Sequence, residues 1–244
     1  MKSKIFPLLR LFRRCMSSAK PLKTMSITLL MCLSLHAMAL AEGGNTAISA
    51  ATALARLKQG NQRFVKGKPQ MRHLISERKA LAEGQAPYAI ILCCTDSRVS
   101  PEIIFDESLG KLFVVRVAGN VADPVDLGSI EYAAQHLHAK LLLVVGHESC
   151  GAVKASLDGG EVLPNIDSIV EKISPAITKA KNQNRDAKTT LNVAIEENVR
   201  QQMNNALQQS AVLRELVEKK ELRIDGGIYN LHTGKVAYLS ENSK

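Results

Sequence analysis

Three residues whose side chains can bind a metal ion follow two apolar segments of the chain. Cys94 ends the segment "PYAIILCC", and His147 ends "AKLLLVVGH", with Cys150 three residues further on. Zinc takes cysteine and histidine ligands in tetrahedral sites, and three protein ligands leave the fourth position for water, whereas structural sites are normally closed by four. No fourth soft ligand is evident near these residues. The spacing therefore predicts an open zinc site with one ion per chain.

The elements around these residues indicate how they meet. Short apolar runs over 87–94, 111–117 and 139–147 are typical of buried strands, and "DLGSIEYAAQHLH" before the last of them is typical of a helix. This alternation predicts an α/β fold with a mostly parallel sheet flanked by helices. Because ligands bind at the carboxyl ends of the strands in such sheets, residues 53 positions apart can come together there.

The remaining segments complete this architecture. The final stretch, "LRIDGGIYNLHTGKVAYL", contains two β-rich runs joined by "HTGK" and predicts a β-hairpin. Apolar residues at helical spacing predict an N-terminal helical arm and three later helices. The expected helices cover residues 47–65, 71–82, 165–181, 191–209 and 211–220.

Simpler interpretations of the cysteines stay open at this point. A cysteine at the end of an apolar strand is usually a small buried hydrophobic residue, and the adjacent pair Cys93–Cys94 could act in redox chemistry. Adjacent cysteines form strained rings, however, and lack the C-x-x-C spacing of thiol oxidoreductases. Since strand side chains alternate, the two should face opposite sides, one towards a metal and one into the core. A helix starting at "CGAVKASL" would lower the pKa of the Cys150 thiol.

The first 41 residues differ in composition from the rest. They contain seven basic residues and no acidic one, and an apolar stretch from Met25 to Ala41 ends in Ala39-Leu40-Ala41. These are the marks of a secretory signal peptide, which predicts cleavage after Ala41 and a periplasmic protein. A retained membrane anchor is the alternative. After cleavage, residues 42–244 would form a single domain without membrane attachment.

This leader accounts for most of the positive charge. The whole chain has a formal net charge of +9, from 32 basic and 23 acidic residues, whereas residues 42–244 keep 25 basic and all 23 acidic residues, a net charge of +2. The basic character is therefore a targeting feature, and since the chain has no Trp, no nucleic-acid partner is expected. Residues 42–244 contain three cysteines, an odd number that indicates a use other than paired disulfides.

Two of the segments described above resemble a known signature. "CTDSR", residues 94–98, and "HESCGAV", residues 147–153, are similar to the paired C-x-D-S-R and H-x-x-C-G motifs of the β-class carbonic anhydrases. Similarity continues through "FVVRVAGN" and "IEYAAQHL" and covers the chain from about Leu57 to the C-terminal hairpin. The resemblance implies a zinc lyase, a carbonate dehydratase that interconverts carbon dioxide and bicarbonate and is built as a homodimer or higher homo-oligomer.

The resemblance also assigns roles to residues near the metal. It implies that the zinc ligands are Cys94, His147 and Cys150. Asp96 would accept a hydrogen bond from the attacking hydroxide, and Arg98 would keep this carboxylate ionised and oriented. An Asp-Ser-Arg turn carrying a surface ion pair is the simpler alternative.

A substrate pocket follows from the same resemblance. Its residues would be Gln85, Phe113, Tyr132 and Gly151, with the Gln85 amide donating to a carbonate oxygen and the two rings forming an apolar wall for carbon dioxide. Part of this pocket would come from a neighbouring subunit. The switchable subclass, in which the carboxylate can bind zinc, is associated with a Trp that this chain lacks, so a permanently open site is expected.

Two other functions remain possible at the level of the sequence. The same fold could hydrolyse carbonyl sulfide or carbon disulfide, as some relatives do. The chain could instead be a non-catalytic zinc-binding module, although Asp96 and Arg98 argue against a purely structural site.

Overall fold

The computed structural model describes residues 48–183 and 185–241, and the predicted leader, residues 1–41, lies outside them. Within the described residues, five strands form one sheet in the order β2-β1-β3-β4-β5. The strands are β1 (Ala89–Cys93), β2 (Leu112–Arg116), β3 (Leu141–His147), β4 (Arg223–Tyr229) and β5 (Val236–Tyr238).

The sheet is parallel except at one edge. Strand β1 lies between β2 and β3, β3 also pairs with β4 in parallel, and β5 alone pairs antiparallel with β4. The predicted mostly parallel α/β fold is therefore confirmed, and the antiparallel pair is the C-terminal hairpin. All residues of β1 and β3 are buried, as expected for central strands covered on both faces.

Helices surround this sheet. The described residues contain α1 (Ala50–Val65), α2 (Leu74–Ala80), α3 (Pro101–Ile104), α4 (Pro124–Gln135), α5 (Gly151–Asp158), α6 (Pro164–Lys181), α7 (Ala187–Gln209) and α8 (Ala211–Glu218). The short helix α3 and a 3-10 turn at Ala118–Asn120 were not predicted. No helix in the described part of the chain is both long and apolar enough to cross a membrane.

Local sequence fixes where the helices begin. Asp123 caps α4, because its side chain accepts hydrogen bonds from the backbone N–H groups of Val125 and Asp126, and Pro124 occupies the first turn. Ser49 caps α1 in the same way by accepting from the N–H of Thr52. These caps satisfy backbone donors that have no partner inside the helix.

Each face of the sheet packs against different helices. Leu54 and Leu57 of α1 join Ile91 and Leu143 on one face, whereas α4, α7 and α8 cover the other. A third apolar cluster includes Cys94 and Cys150 and lies where β1 and β3 end. The core therefore encloses the carboxyl edge of the sheet, where the predicted ligands lie.

Ion pairs between partly exposed arginines and two buried carboxylates tie the N-terminal arm to this core. The Asp106 carboxylate, 3% exposed, accepts from Arg63 Nε at 2.5 Å and from an Arg72 guanidinium nitrogen at 2.8 Å. The neighbouring carboxylate of Glu107 pairs with Arg56 at 2.7 Å. The arm and the segment after α3 are thus held together by charge-assisted hydrogen bonds.

Candidate metal centre

Cys94, His147 and Cys150 converge at the ends of two neighbouring strands. Cys94 directly follows β1, His147 is the last residue of β3, and Cys150 is the N-cap of α5. The parallel pairing of β1 with β3 brings these strand ends to the same edge of the sheet. The two sulfur atoms and one ring nitrogen all lie within 4.8 Å of one another, and all three residues are buried.

The His147 ring offers an unused lone pair to this cluster. Its Nδ1 lies 2.9 Å from the backbone carbonyl oxygen of Glu148, which can only accept, so Nδ1 carries the proton. Nε2 is then an acceptor, and it is buried without a hydrogen-bond partner. A buried lone pair beside two thiols fits a cation better than it fits a packed core. The residues present therefore fit a zinc ion.

The two thiols of the cluster differ in acidity. A hydrogen bond from Cys150 lowers the pKa of Cys94, with further help from the backbone N–H groups of Asp96 and Gly119. The same hydrogen bond, together with burial, raises the pKa of Cys150. The backbone N–H groups of Val153 and Ala152 at the start of α5 act in the predicted direction and lower the pKa of Cys150, but the hydrogen bond to Cys94 and burial outweigh them. Zinc would have to displace the Cys150 proton.

Cys93 faces away from the metal cluster. It is fully buried among residues that pack between α1 and the sheet, whereas Cys94 belongs to the cluster at the strand ends. Burial raises the pKa of the Cys93 thiol to about 12. Cys93, Cys94 and Cys150 are all free thiols. This arrangement disfavours a redox pair and leaves Cys93 as a packing residue.

Asp96 is held by Arg98 beside the histidine. Arg98 Nε donates to Asp96 Oδ1 at 2.9 Å, a terminal guanidinium nitrogen donates to Oδ2 at 2.7 Å, and the Arg98 backbone N–H adds a third bond to Oδ1. The bonds from Arg98 hold the pKa of Asp96 well below its usual range. Oδ2 lies 4.0 Å from His147 Nε2, so an ionised carboxylate faces the candidate metal position.

Arg116 is a residue of this site that the sequence did not reveal. It ends β2, and its side chain donates to the carbonyl oxygens of Cys94 at 3.2 Å and Asp96 at 2.8 Å. It therefore fixes the backbone between a candidate ligand and the acidic residue. Arg116 could have been predicted from its place at the end of a predicted strand, because functional residues of a parallel sheet lie at the carboxyl ends of its strands.

Within one chain, three predicted pocket residues lie away from the cluster. Gln85 precedes β1, whereas Cys94 follows it. Phe113 pairs with Ile90, and at about 3.3 Å per residue the four steps from Ile90 to Cys94 span roughly 13 Å.

Tyr132 is 47% exposed, and its ring centroid lies 6.3 Å from that of Phe113. Gly151 does adjoin the cluster, as the first residue of α5, and a Cβ atom there would contact nothing within 4 Å.

The fold and these residues define an α/β protein with a candidate three-ligand metal centre and an adjacent ion-paired carboxylate. The sequence model of the family described as "Carbonic anhydrase" matches residues 89–236. The chain belongs to this family, and its structural relatives place it in the β class.

Curated relatives and solved structures agree with this assignment. The "Carbonic anhydrase 2" of Mycobacterium tuberculosis is 40% identical over 186 residues, which cover 73% of this chain and 87% of that protein. The carbonic anhydrase of Mycolicibacterium smegmatis is 50% identical over 126 residues, 50% of this chain and 61% of that protein. The structure of the β-carbonic anhydrase CcaA has a TM-score of 0.62 and 29% identity and covers 77% of this chain and 87% of its own.

Proposed function

We propose that the protein is a zinc-dependent carbonic anhydrase that interconverts carbon dioxide and bicarbonate. Cys94, His147 and Cys150 would hold the metal. The observation that carries the proposal is the cluster of two sulfur atoms and one His147 ring nitrogen within 4.8 Å of one another. The buried Nε2 of this ring has no hydrogen-bond partner and lies 4.0 Å from an ionised Asp96. When bound, zinc supplies a Lewis acid that lowers the pKa of a coordinated water towards about 7.

Asp96 orients the nucleophile in this scheme. Because Arg98 keeps its carboxylate ionised, Asp96 accepts a hydrogen bond throughout the neutral pH range and does not release a proton there. Arg98 occupies both carboxylate oxygens from one side, which directs the remaining lone pairs of Oδ2 towards His147. To become a metal ligand, Asp96 would have to move away from Arg98 and lose these bonds, which supports a permanently open site.

Replacing Asp96 by asparagine tests this role. We expect Asp96→Asn to retain zinc and to lose kcat/KM for carbon dioxide hydration on the order of 100-fold, because an amide presents a donor where an acceptor is needed. Stopped-flow hydration with a pH indicator measures the rate, and metal analysis measures the zinc content.

Asp158→Asn is the matched control, because it makes the same change in an exposed ion pair with Lys154. Full activity in Asp96→Asn would contradict the mechanism. Turnover of carbonyl sulfide without carbon dioxide hydration in the unaltered protein would favour the alternative hydrolase.

We also propose that the substrate pocket is shared between two copies of this chain. Gln85 and Phe113 lie towards the amino-terminal end of β1, away from the metal cluster of their own chain. A homodimer that sets this end of one chain against the strand ends of another would bring both halves together. The half-exposed ring of Tyr132, whose centroid lies 6.3 Å from that of Phe113, supports a contact on this part of the surface.

The proposed location is the periplasm. The basic, acid-free leader and the Ala39-Leu40-Ala41 ending support cleavage after Ala41. Sequencing the N-terminus of the protein recovered from the periplasmic fraction should give Glu42 as the first residue. A membrane-bound chain that still carries residues 1–41 would indicate an anchor instead.

A further inference from the structure

A loop that follows β2 donates a backbone hydrogen bond to one of the candidate ligands. The N–H of Gly119 points at Cys94 Sγ, 3.4 Å away. Gly119 has φ of 67°, and an added Cβ atom would lie 2.7 Å from Ile173 Cδ1. Both the backbone conformation and the space therefore require glycine at this position.

Two buried amides of α7 hold this loop from the other side. Asn198 Nδ2 donates to the Gly119 carbonyl oxygen at 2.7 Å, and Gln202 Nε2 donates to Asn198 Oδ1 at 3.0 Å. Gln202 Oε1 accepts from the backbone N–H of Ala122 at 3.1 Å. Asn198 and Gln202 are both 0% exposed. Burying amides is costly unless they are paired, and here their bonds converge on the loop that carries Gly119.

We propose that Asn198 is a positioning residue for the metal ligand Cys94. It holds Gly119 in its left-handed conformation, so that the N–H of this residue stays directed at the Cys94 sulfur, and Gln202 holds Asn198. This inference rests on the proposed zinc site. A hydrogen bond to a thiolate withdraws charge from the sulfur, which reduces how much charge Cys94 donates to the metal. Two thiolate ligands donate strongly, so such a bond favours an acidic metal site.

Cobalt(II) substitution tests the proposal on the full-length protein. In Asn198→Ala we expect the thiolate-to-cobalt charge-transfer band to move to lower energy, because a sulfur without the N–H bond is a stronger donor. Release of the metal to a chelator should nevertheless become on the order of 10-fold faster, because Cys94 loses the contact that keeps it in place for the metal. If the alanine variant does not fold, Asn198→Ser is measured in the same way.

Gln201→Ala is the matched control. Gln201 lies in the same helix, and its Nε2 also donates to a backbone carbonyl, but that carbonyl belongs to Lys172 of α6. Its cobalt spectrum and release rate should match those of the unaltered protein. An unchanged band and release rate in the Asn198 variant would overturn the inference and leave Asn198 a purely structural residue. Failure of the unaltered protein to bind zinc or cobalt would instead overturn the proposed function, and the inference with it.

Discussion

Cys94→Ala is expected to abolish both zinc binding and carbon dioxide hydration, whereas Cys93→Ala keeps both. The two cysteines are adjacent in sequence, but only Cys94 directs its sulfur to within 4.8 Å of His147 and Cys150. Without the metal, no group in the site brings the pKa of water down from 15.7, so the rate should fall by on the order of 1,000-fold or more. Elemental analysis of the purified variants and stopped-flow hydration measure the two effects.

The Cys93 variant controls for the loss of a buried sulfur atom. Cys93 is 0% exposed in the core beneath α1, so its truncation should lower the free energy of unfolding by about 1 kcal/mol without altering the zinc content. Thermal denaturation of both variants separates a loss of metal from a loss of fold. A Cys94 variant that kept one zinc per chain and normal activity would refute the assigned ligand set.

Co-expressing two defective chains is expected to restore part of the activity. One chain carries Gln85→Ala and Tyr132→Ala, which damage the pocket, and the other carries Asp96→Asn, which damages the catalytic carboxylate. If each site takes its pocket from the partner, a mixed dimer contains one undamaged site. An isologous dimer has two equivalent sites, and about half of randomly paired dimers are mixed. About a quarter of all sites are then undamaged.

The measurement is the hydration rate of the co-expressed and co-purified chains, compared with each altered chain alone. Simple mixing of the purified variants without subunit exchange is the control and should give only the average of the two residual rates. Co-expressed chains that also gave only this average would argue against a shared pocket.

The sequence predicted the sheet, the hairpin and the convergence of the candidate ligands, because apolar runs and strand direction determine these features. It did not predict the role of Asn198 and Gln202. The segment "NVRQQMNNALQQ" of α7 is typical of a solvated helix face, and these amides are buried by tertiary packing that includes their bonds to the loop 118–122.

The positions of Gln85 and Phe113 could be predicted in part from the sequence. Each lies before or early in its strand, and parallel strands place such residues at the edge opposite the carboxyl ends. Residue spacing along one chain could not indicate the proposed dimer, in which the amino-terminal edge of one sheet would meet the carboxyl edge of another.

The pairing of β1 with β3 has a consequence for how the protein acquires its metal. Both strands are buried along their whole length and hydrogen-bonded to each other, so the positions of Cys94 and His147 are set by the sheet rather than by the ion. Small zinc-finger domains, by contrast, are unfolded until metal binds. This chain should fold first and take up its cation afterwards, so that a chelator yields an inactive but intact scaffold that regains activity when zinc is returned.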